Sequence, residues 1–418
     1  MIFVAIEGAR AILNINTFRD ASLGWRNTMS FSYSKLTVAV AACLAGSVAM
    51  AADVEIYGKV DLGLEYSHVS SDVAGDSDSF KMTNGGSRFG FNIREQINND
   101  WAIRGYLENG FNADDGKFTT SGTLFDRRMI LAVQSKTYGE MGFGRMGTVM
   151  STNSPYALGI AYADPFETGY TADYTISGLF ATDSRANNAI TYFTPKIAGF
   201  KAGVTWSFQR AGQEEEENDH NDRVLAGLLT YENGPIYVFG GASTIMWGND
   251  NEYADRKDSV EATVGLCWSA MDNLKLYLGA QWMKDWRTLG YWSAEDGSKD
   301  ADGNITWGQE NGVDGMAYIT GFRYMPTGQL TLIASYGYFD GEQDRDVFDE
   351  DTGNVTGSKT WDGKRHRFSI GAEYDLSKTT TLYAVANYTK NSGKMLTEEQ
   401  KGAFDSKYGA LVGITHWF

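Results

Sequence analysis

The final thirteen residues, Ser406–Phe418, read SKYGALVGITHWF. In an extended chain, Tyr408, Ala410, Val412, Ile414, His416 and Phe418 fall on one face, mostly apolar and closed by an aromatic. Gly409, Leu411, Gly413 and Thr415 do not keep that pattern. A period of two that runs to the terminal carboxylate describes a strand that needs a pairing partner and an apolar exterior. Read with the leader described next, it points to a barrel whose last strand closes on its first.

At the other end, Lys35 precedes the apolar run LTVAVAACLAGSVAM, and Ala49-Met50-Ala51 fits a small-x-small cleavage pattern. The reading predicts a signal peptide over 29–51 and a mature chain over 52–418. Residues 1–28 lack the short basic character of an n-region, so Met29 is the expected start and 1–28 an upstream extension. Cys43 lies inside the apolar run without a lipoprotein context, and only Cys267 remains after cleavage, which excludes an intramolecular disulfide.

The mature chain has no apolar run of the ~18 residues a membrane helix needs. It is nevertheless rich in aromatics and carries 48 Gly against 5 Pro. Strands that alternate apolar and polar residues average to mild polarity, so hydropathy cannot separate a soluble protein from a transmembrane barrel. The pattern must decide. The whole chain carries −17; Arg10, Arg19, Arg26 and Lys35 against Glu7 and Asp20 give the leader +2, which leaves −19 for the mature part. That charge disfavours nucleic acid as a partner.

From Ala52 onward about sixteen segments have strand character. In VEIYGKVDLGLEY (54–66), Val54, Ile56, Val60, Leu62 and Leu64 share one face, and Tyr57, Lys59, Asp61 and Glu65 the other. SRFGFNIRE (87–95) sets Phe89, Phe91 and Ile93 against Arg88, Asn92 and Arg94. SVEATVGLCWS (259–269) and QLTLIASYGYF (329–339) repeat the design, with Cys267, Glu261 and Thr263 on the inner parity of the former. Short connections such as 97–101, 136–140, 232–235 and 325–329 alternate with long polar stretches near 67–86, 112–123, 148–185, 210–221, 248–257, 288–310, 341–361 and 391–405. This is the rhythm of turns on one side of a membrane and loops on the other. The expected fold is all-β, a transmembrane antiparallel barrel of about 16 strands. Aromatics near segment ends (Tyr57, Trp101, Tyr106, Tyr192, Trp206, Tyr231, Tyr237, Trp268 and Trp417) are expected in two interfacial girdles.

The mature chain resembles the general Gram-negative porin family along its whole length. The resemblance is carried by VEIYGKVDLGLEY, SRFGFNIREQINNDWAIRGYLENGFN, FDRRMILAV followed by GFGRMG, RANNAITYFTPKIAGFKAGVTWSF, and the terminal YGALVGITHWF. It implies an outer-membrane homotrimer for passive diffusion of ions and small hydrophilic solutes, without a cofactor. Ile414, His416 and Phe418 then stand in the signal read by the barrel-assembly machinery. Lipopolysaccharide and outer-membrane lipid would be the surroundings.

The resemblance also implies a constriction. The longest gap, Thr148–Arg185, matches the third loop, which folds into the lumen; its ADPFETGYTADY offers Asp164, Glu167 and Asp173 as the acidic side. Lys59, Arg88 and Arg127 form the implied basic wall. Arg128 is adjacent to Arg127, and a regular strand aims only one of the two inward; the resemblance selects Arg127, while a bulge reverses the choice. Arg145 in GFGRMG is expected nearby, in a structural salt bridge with Asp114 or Asp115. Opposed charges in a narrow passage set a transverse field that selects by charge and size.

Three other readings compete. SKDADGN (298–304) echoes a calcium loop but lacks Gly at the sixth position and Glu at the twelfth, so no metal is expected. His68, His220, His366 and His416 have no Ser or Asp constellation suited to catalysis, so no enzyme is expected. Trp282, Trp286, Trp292 and Trp307, with Trp247 and Trp361, suggest as an alternative a substrate-specific oligosaccharide channel with an aromatic ribbon.

Overall fold

Alternating faces leave each segment one way to satisfy its backbone, which is to pair with both neighbours and close. The computed structural model describes residues 52–418 except 156–157, 168, 213, 215–217, 249–256, 290–291, 294–297, 300–304, 308–310, 349–354 and 399–401. The expected leader and upstream extension lie outside the described residues. Sixteen antiparallel strands form the wall: β1 (Asp53–Ser70), β2 (Ser77–Asn84 and Arg88–Gln96), β3 (Trp101–Gly110), β4 (Arg128–Ser135), β5 (Gly139–Gly147), β6 (Arg185–Phe193), β7 (Phe200–Ser207), β8 (Arg223–Asn233), β9 (Ile236–Met246), β10 (Ser259–Met271), β11 (Leu274–Trp286), β12 (Val313–Tyr324), β13 (Leu330–Phe348), β14 (Val355–Asp375), β15 (Thr380–Ser392) and β16 (Ser406–Trp417). Each pairs with the next, and β16 pairs with β1 from Ser70↔Ser406 to Lys59↔Trp417, so the sheet closes on itself as a barrel.

The faces are inside-out relative to a soluble protein. On β10, Val264 is 58% exposed while Thr263 beside it is 1% and Glu261 on the same inner face 2% exposed. No helix among the described residues is long and apolar enough to cross a membrane. An apolar exterior on a closed barrel supplies the crossing instead.

The strand β2 is interrupted at 85–87. Both of its pieces pair with β1, in the registers Leu62↔Asn84 and Lys59↔Arg88. Gly86 turns there at φ 76°, and a Cβ on Gly85 would collide with the Asp61 carboxylate. Ser87 Oγ accepts the Asp61 N–H at 3.0 Å, so the break presents Asp61 and Lys59 to the lumen.

Two expected loops are mostly strand. Of 67–86 only 71–76 and the break at 85–86 lie outside the strand pieces of β1 and β2, and 341–361 is largely a ribbon of β13 on β14 that runs up to Phe348↔Val355. There Gln343 and Arg345 face inward and Glu342 and Asp344 outward. With both faces polar, the alternation leaves no hydropathy signal.

The third loop, 148–184, folds inside the barrel, and the apolar core lies between it and the wall. Ile160, Ala163, Leu179 and Phe180 pack with Phe239, Tyr277, Ile319 and Phe339. Phe166 and Tyr174 pack with Ile333, Tyr383, Val385 and Leu411. The wall makes room by omitting side chains: a Cβ on Gly321 would strike Pro165, one on Gly337 would strike Leu179, and one on Gly371 would meet Phe166 at 3.1 Å. Gly337→Val is therefore expected to lift the loop while leaving the outer face intact. Liposome swelling with trisaccharides should speed up while the barrel keeps its heat-modifiable gel mobility; unchanged swelling would contradict this packing.

Candidate functional site

Loop three is held by side chains that would be costly to bury without partners. On β14, Arg365 donates to the Gly178 carbonyl at 2.7 Å, and Arg367 donates to the carbonyls of Ala172 (2.6 Å) and Thr175 (3.0 Å). On β11, the Gln281 amide bonds both the N–H and the C=O of Ala181, at 2.5 and 2.8 Å. The Tyr174 hydroxyl reaches Glu65 on β1 at 3.1 Å, and that of Tyr170 reaches Glu373 on β14 at 2.7 Å. Burial, and next the Glu373 carboxylate, push the Tyr170 hydroxyl well above its ordinary pKa, so it stays a donor.

Between this loop and the wall lies a cavity of about 560 Å³. Its basic lining is Lys59, Arg88, Arg127, Arg128, Arg185 and Arg323; its acidic lining is Asp61, Glu167 and Glu373. Glu108 on β3 sits behind the arginines with its side chain 2% exposed. Three guanidinium groups share it: Arg127 Nε at 2.7 Å, Arg88 Nε at 3.7 Å and Arg128 Nε at 3.8 Å. Tyr57 adds a hydroxyl at 2.9 Å. Lys59 pairs with Asp61 at 2.8 Å. Across the cavity Arg323 contacts Glu167 at 3.7 Å and bonds Glu373.

Both Arg127 and Arg128 line the cavity. Arg128 opens β4 on its inner parity, and Arg127 reaches Glu108 from just before the strand, so strand alternation does not apply to it. Arg145 makes no bridge to Asp114 or Asp115. It donates to the Asp126 carbonyl at 2.6 Å and to Asn187, while Asp115 is taken by Lys117 at 3.0 Å.

The three loop carboxylates part company. Glu167, at φ 52°, faces the cavity with its side chain 53% exposed. Asp164 is 0% exposed, and its carboxylate accepts the N–H groups of Phe166 and Ile176 at 3.0 and 3.2 Å. It staples the loop instead of lining the passage. Asp173 is nearly buried and paired with Lys407 at 2.7 Å.

Four aromatics expected in the girdles, Tyr57, Tyr106, Tyr237 and Trp417, point inward. Tyr106 and Tyr237 are buried, and Tyr57 and Trp417 reach Glu108 and the cavity. Trp101 and Trp268 do face outward. The tryptophans suggested as a sugar ribbon scatter: Trp282 is on the outer face, Trp286 is buried in the core, and Trp361 lies under Arg345 at 3.7 Å. The side chains of Trp292 and Trp307 lie outside the described residues. Among the described residues no group of three or more His, Cys, Asp or Glu could hold a metal ion; 300–304 of the calcium-like segment also lies outside them.

A family model described as Gram-negative porin matches residues 36–394. The chain belongs to the Gram-negative porin family. It is an outer-membrane protein whose barrel is a diffusion channel. This porin is 28% identical to an outer membrane porin protein of Bordetella pertussis, over 92% of this chain and 99% of that one. It is also 28% identical to outer membrane porin protein 32 of Delftia acidovorans, with the same coverage. Among solved structures, the anion-selective porin from Comamonas acidovorans superposes with a TM-score of 0.62, at 22% identity, over 88% of this chain and all of that one. OmpT of Vibrio cholerae, solved in trimer form, superposes with a TM-score of 0.57 at 15% identity, over 88% of this chain and 100% of that one. Both likenesses concern the fold.

Sequence reading missed Arg185, Arg323 and Glu373 in this porin's cavity, and Glu108 behind its arginines. Parity marks Arg323 and Glu373 as inward residues of GFRY and GAEY, but inward positions are many. Only the path of loop three selects among them.

Proposed function

We propose that this porin prefers anions and selects them by charge and size at the cavity between loop three and the wall, and that it works as a trimer. The charge of the lining carries the reading. Among the described residues, Lys59, Arg88, Arg127, Arg128 and Arg185 on the arginine side meet the carboxylates of Asp61 and Glu108, with Asp126 nearby offset by Arg145; on the loop side, Arg323 faces Glu167 and Glu373. The first group keeps +3 and the second −1, so the passage is net positive with a field across it.

One uncompensated charge about 8 Å from a passing ion is worth about 0.5–2 kcal/mol at effective dielectric constants of about 80 to 20. Two or three such charges outweigh the exposed acidic loops, whose influence salt screens within about 8 Å. The relative from Comamonas acidovorans, described as anion-selective, agrees with this sign. For assembly, an apolar groove on the outer face of β1, β2, β15 and β16, lined by Leu62, Leu64, Met82, Leu382, Val412 and Ile414, suits contact with a second copy. Ile414, His416 and Phe418 lie exposed on the same outer face, where assembly machinery could read them.

In a planar bilayer under a tenfold potassium chloride gradient, the reversal potential should report chloride over potassium by about 5- to 10-fold. Glu167→Gln should raise that ratio further, because Arg323 loses one of its two carboxylates. A ratio below one in the native protein would refute the anion reading.

A further inference from the structure

Of the rings that line the cavity, Phe166, Tyr170, Tyr383 and Trp417 among them, Trp417 stands at the short-turn end. The β16–β1–β2 registers place Trp417 opposite Lys59 and Lys59 opposite Arg88, so three inward side chains stand in a row. The Arg88 guanidinium carbon lies 5.0 Å from the indole centroid and Lys59 Nζ lies 5.7 Å from it. The indole remains 42% exposed and lines the cavity. A cation against an indole is a stable pair in itself, and the exposed part of the ring is left for a second flat group.

The donors next to the ring are largely unspent. Arg88 donates one hydrogen bond, to the Gly86 carbonyl at 3.2 Å. Among the described residues, Arg127 donates a hydrogen bond through Nε alone, and Arg128 makes an ionic contact with Glu108 at 3.8 Å without a hydrogen bond. A guanidinium presents its remaining N–H groups as a fork suited to a carboxylate. A ring lying on the indole would therefore place an attached carboxylate among free donors.

Resting on the anion-preferring reading above, we propose that Trp417, Lys59 and Arg88 form a subsite for aromatic carboxylates, which the pore takes in preference to saturated acids of equal charge and similar size. A small anion senses only the charge of this wall. A saturated ring has no flat π face to lay on the indole, and its puckered hydrogens hold it away. The aromatic acid gains both contacts, weakly enough to leave again, as conduction requires.

The test is block of the chloride current by benzoate and by cyclohexanecarboxylate, which share charge, carbon count and carboxylate position. In the native channel, benzoate should halve the current at a concentration about 3-fold below that of cyclohexanecarboxylate, the gain expected of one exposed ring contact. Trp417→Leu should bring the two concentrations together, and Trp417→Phe should keep most of the difference. Equal block by the two acids in the native channel overturns the proposal, whether or not the leucine variant assembles. A persistent 3-fold difference in Trp417→Leu overturns it as well. Failure of the anion reading would show separately, as cation preference in potassium chloride on the same membranes.

Discussion

Replacing Arg127 and Arg128 together with Gln is expected to move the channel from the proposed anion preference to cation preference, read from the reversal potential in a potassium chloride gradient. Without them the arginine side retains Lys59, Arg88 and Arg185 against Asp61 and Glu108, a residue of +1. That is cancelled by the −1 of Arg323 with Glu167 and Glu373, and the rest of a chain of −17 then decides. The two single variants should behave differently. Arg128 makes no hydrogen bond among the described residues, so Arg128→Gln should shift selectivity and leave stability nearly unchanged. Arg127 holds Glu108 at 2.7 Å, and Glu108 is almost fully buried. Arg127→Gln leaves that carboxylate with the Tyr57 hydroxyl and two distant guanidinium groups, a loss of about 2–3 kcal/mol. It should lower the temperature at which the folded barrel opens in detergent as well as shift selectivity. If the double variant kept the native permeability ratio, the selecting charges would have to lie elsewhere.

The barrel was legible because its physics is local. A strand with one face toward lipid must alternate, and a turn between neighbours must be short, so Val54–Glu65, Ser259–Ser269 and Ser406–Phe418 betray themselves within a dozen residues. The same alternation fails where both faces meet water, and so the ribbon of Gln343 to Lys359 read as loop. Trp417 shows a different failure. Its parity was visible, since His416 and Phe418 face out, but an aromatic at a strand end fits a girdle equally well. The site was legible as residue types and not as partners. Loop three is placed by contacts such as Tyr174 with Glu65, Tyr170 with Glu373 and Ala181 with Gln281, each about a hundred residues or more apart. Those contacts send Asp164 into the loop's own core and Glu167 into the passage, a choice no local pattern in ADPFETGYTADY records.

Removing both Arg365 and Arg367 is expected to free the loop and widen the pore. Arg365 ties three parts of the mouth, through the carbonyls of Gly178 in loop three and Leu289 in the sixth loop (3.3 Å) and through Asn391 on β15 (2.9 Å). Arg367 secures the preceding turn through Ala172 and Thr175, and braces itself on Thr389 at 3.1 Å. Hydrogen bonds from a charged donor contribute about 1.5–3 kcal/mol each, so the Arg365→Ala, Arg367→Ala pair forfeits about 4 kcal/mol or more of seating. The carbonyls left behind face a buried space and are better served by water, which favours the loop lifting away. Against this stand the apolar contacts of Leu179 and Phe180, which hold one end of the loop and should keep it partly seated. The alanine pair should therefore show larger, noisier single-channel currents and admit trisaccharides that the native pore retards. Arg365→Lys with Arg367→Lys keeps both charges but gives up the planar fork, so it should fall between the two without changing the sign of selectivity. Native conductance and native size limit in the alanine pair would mean that the glycine-lined wall, and not these two guanidinium groups, holds loop three in place.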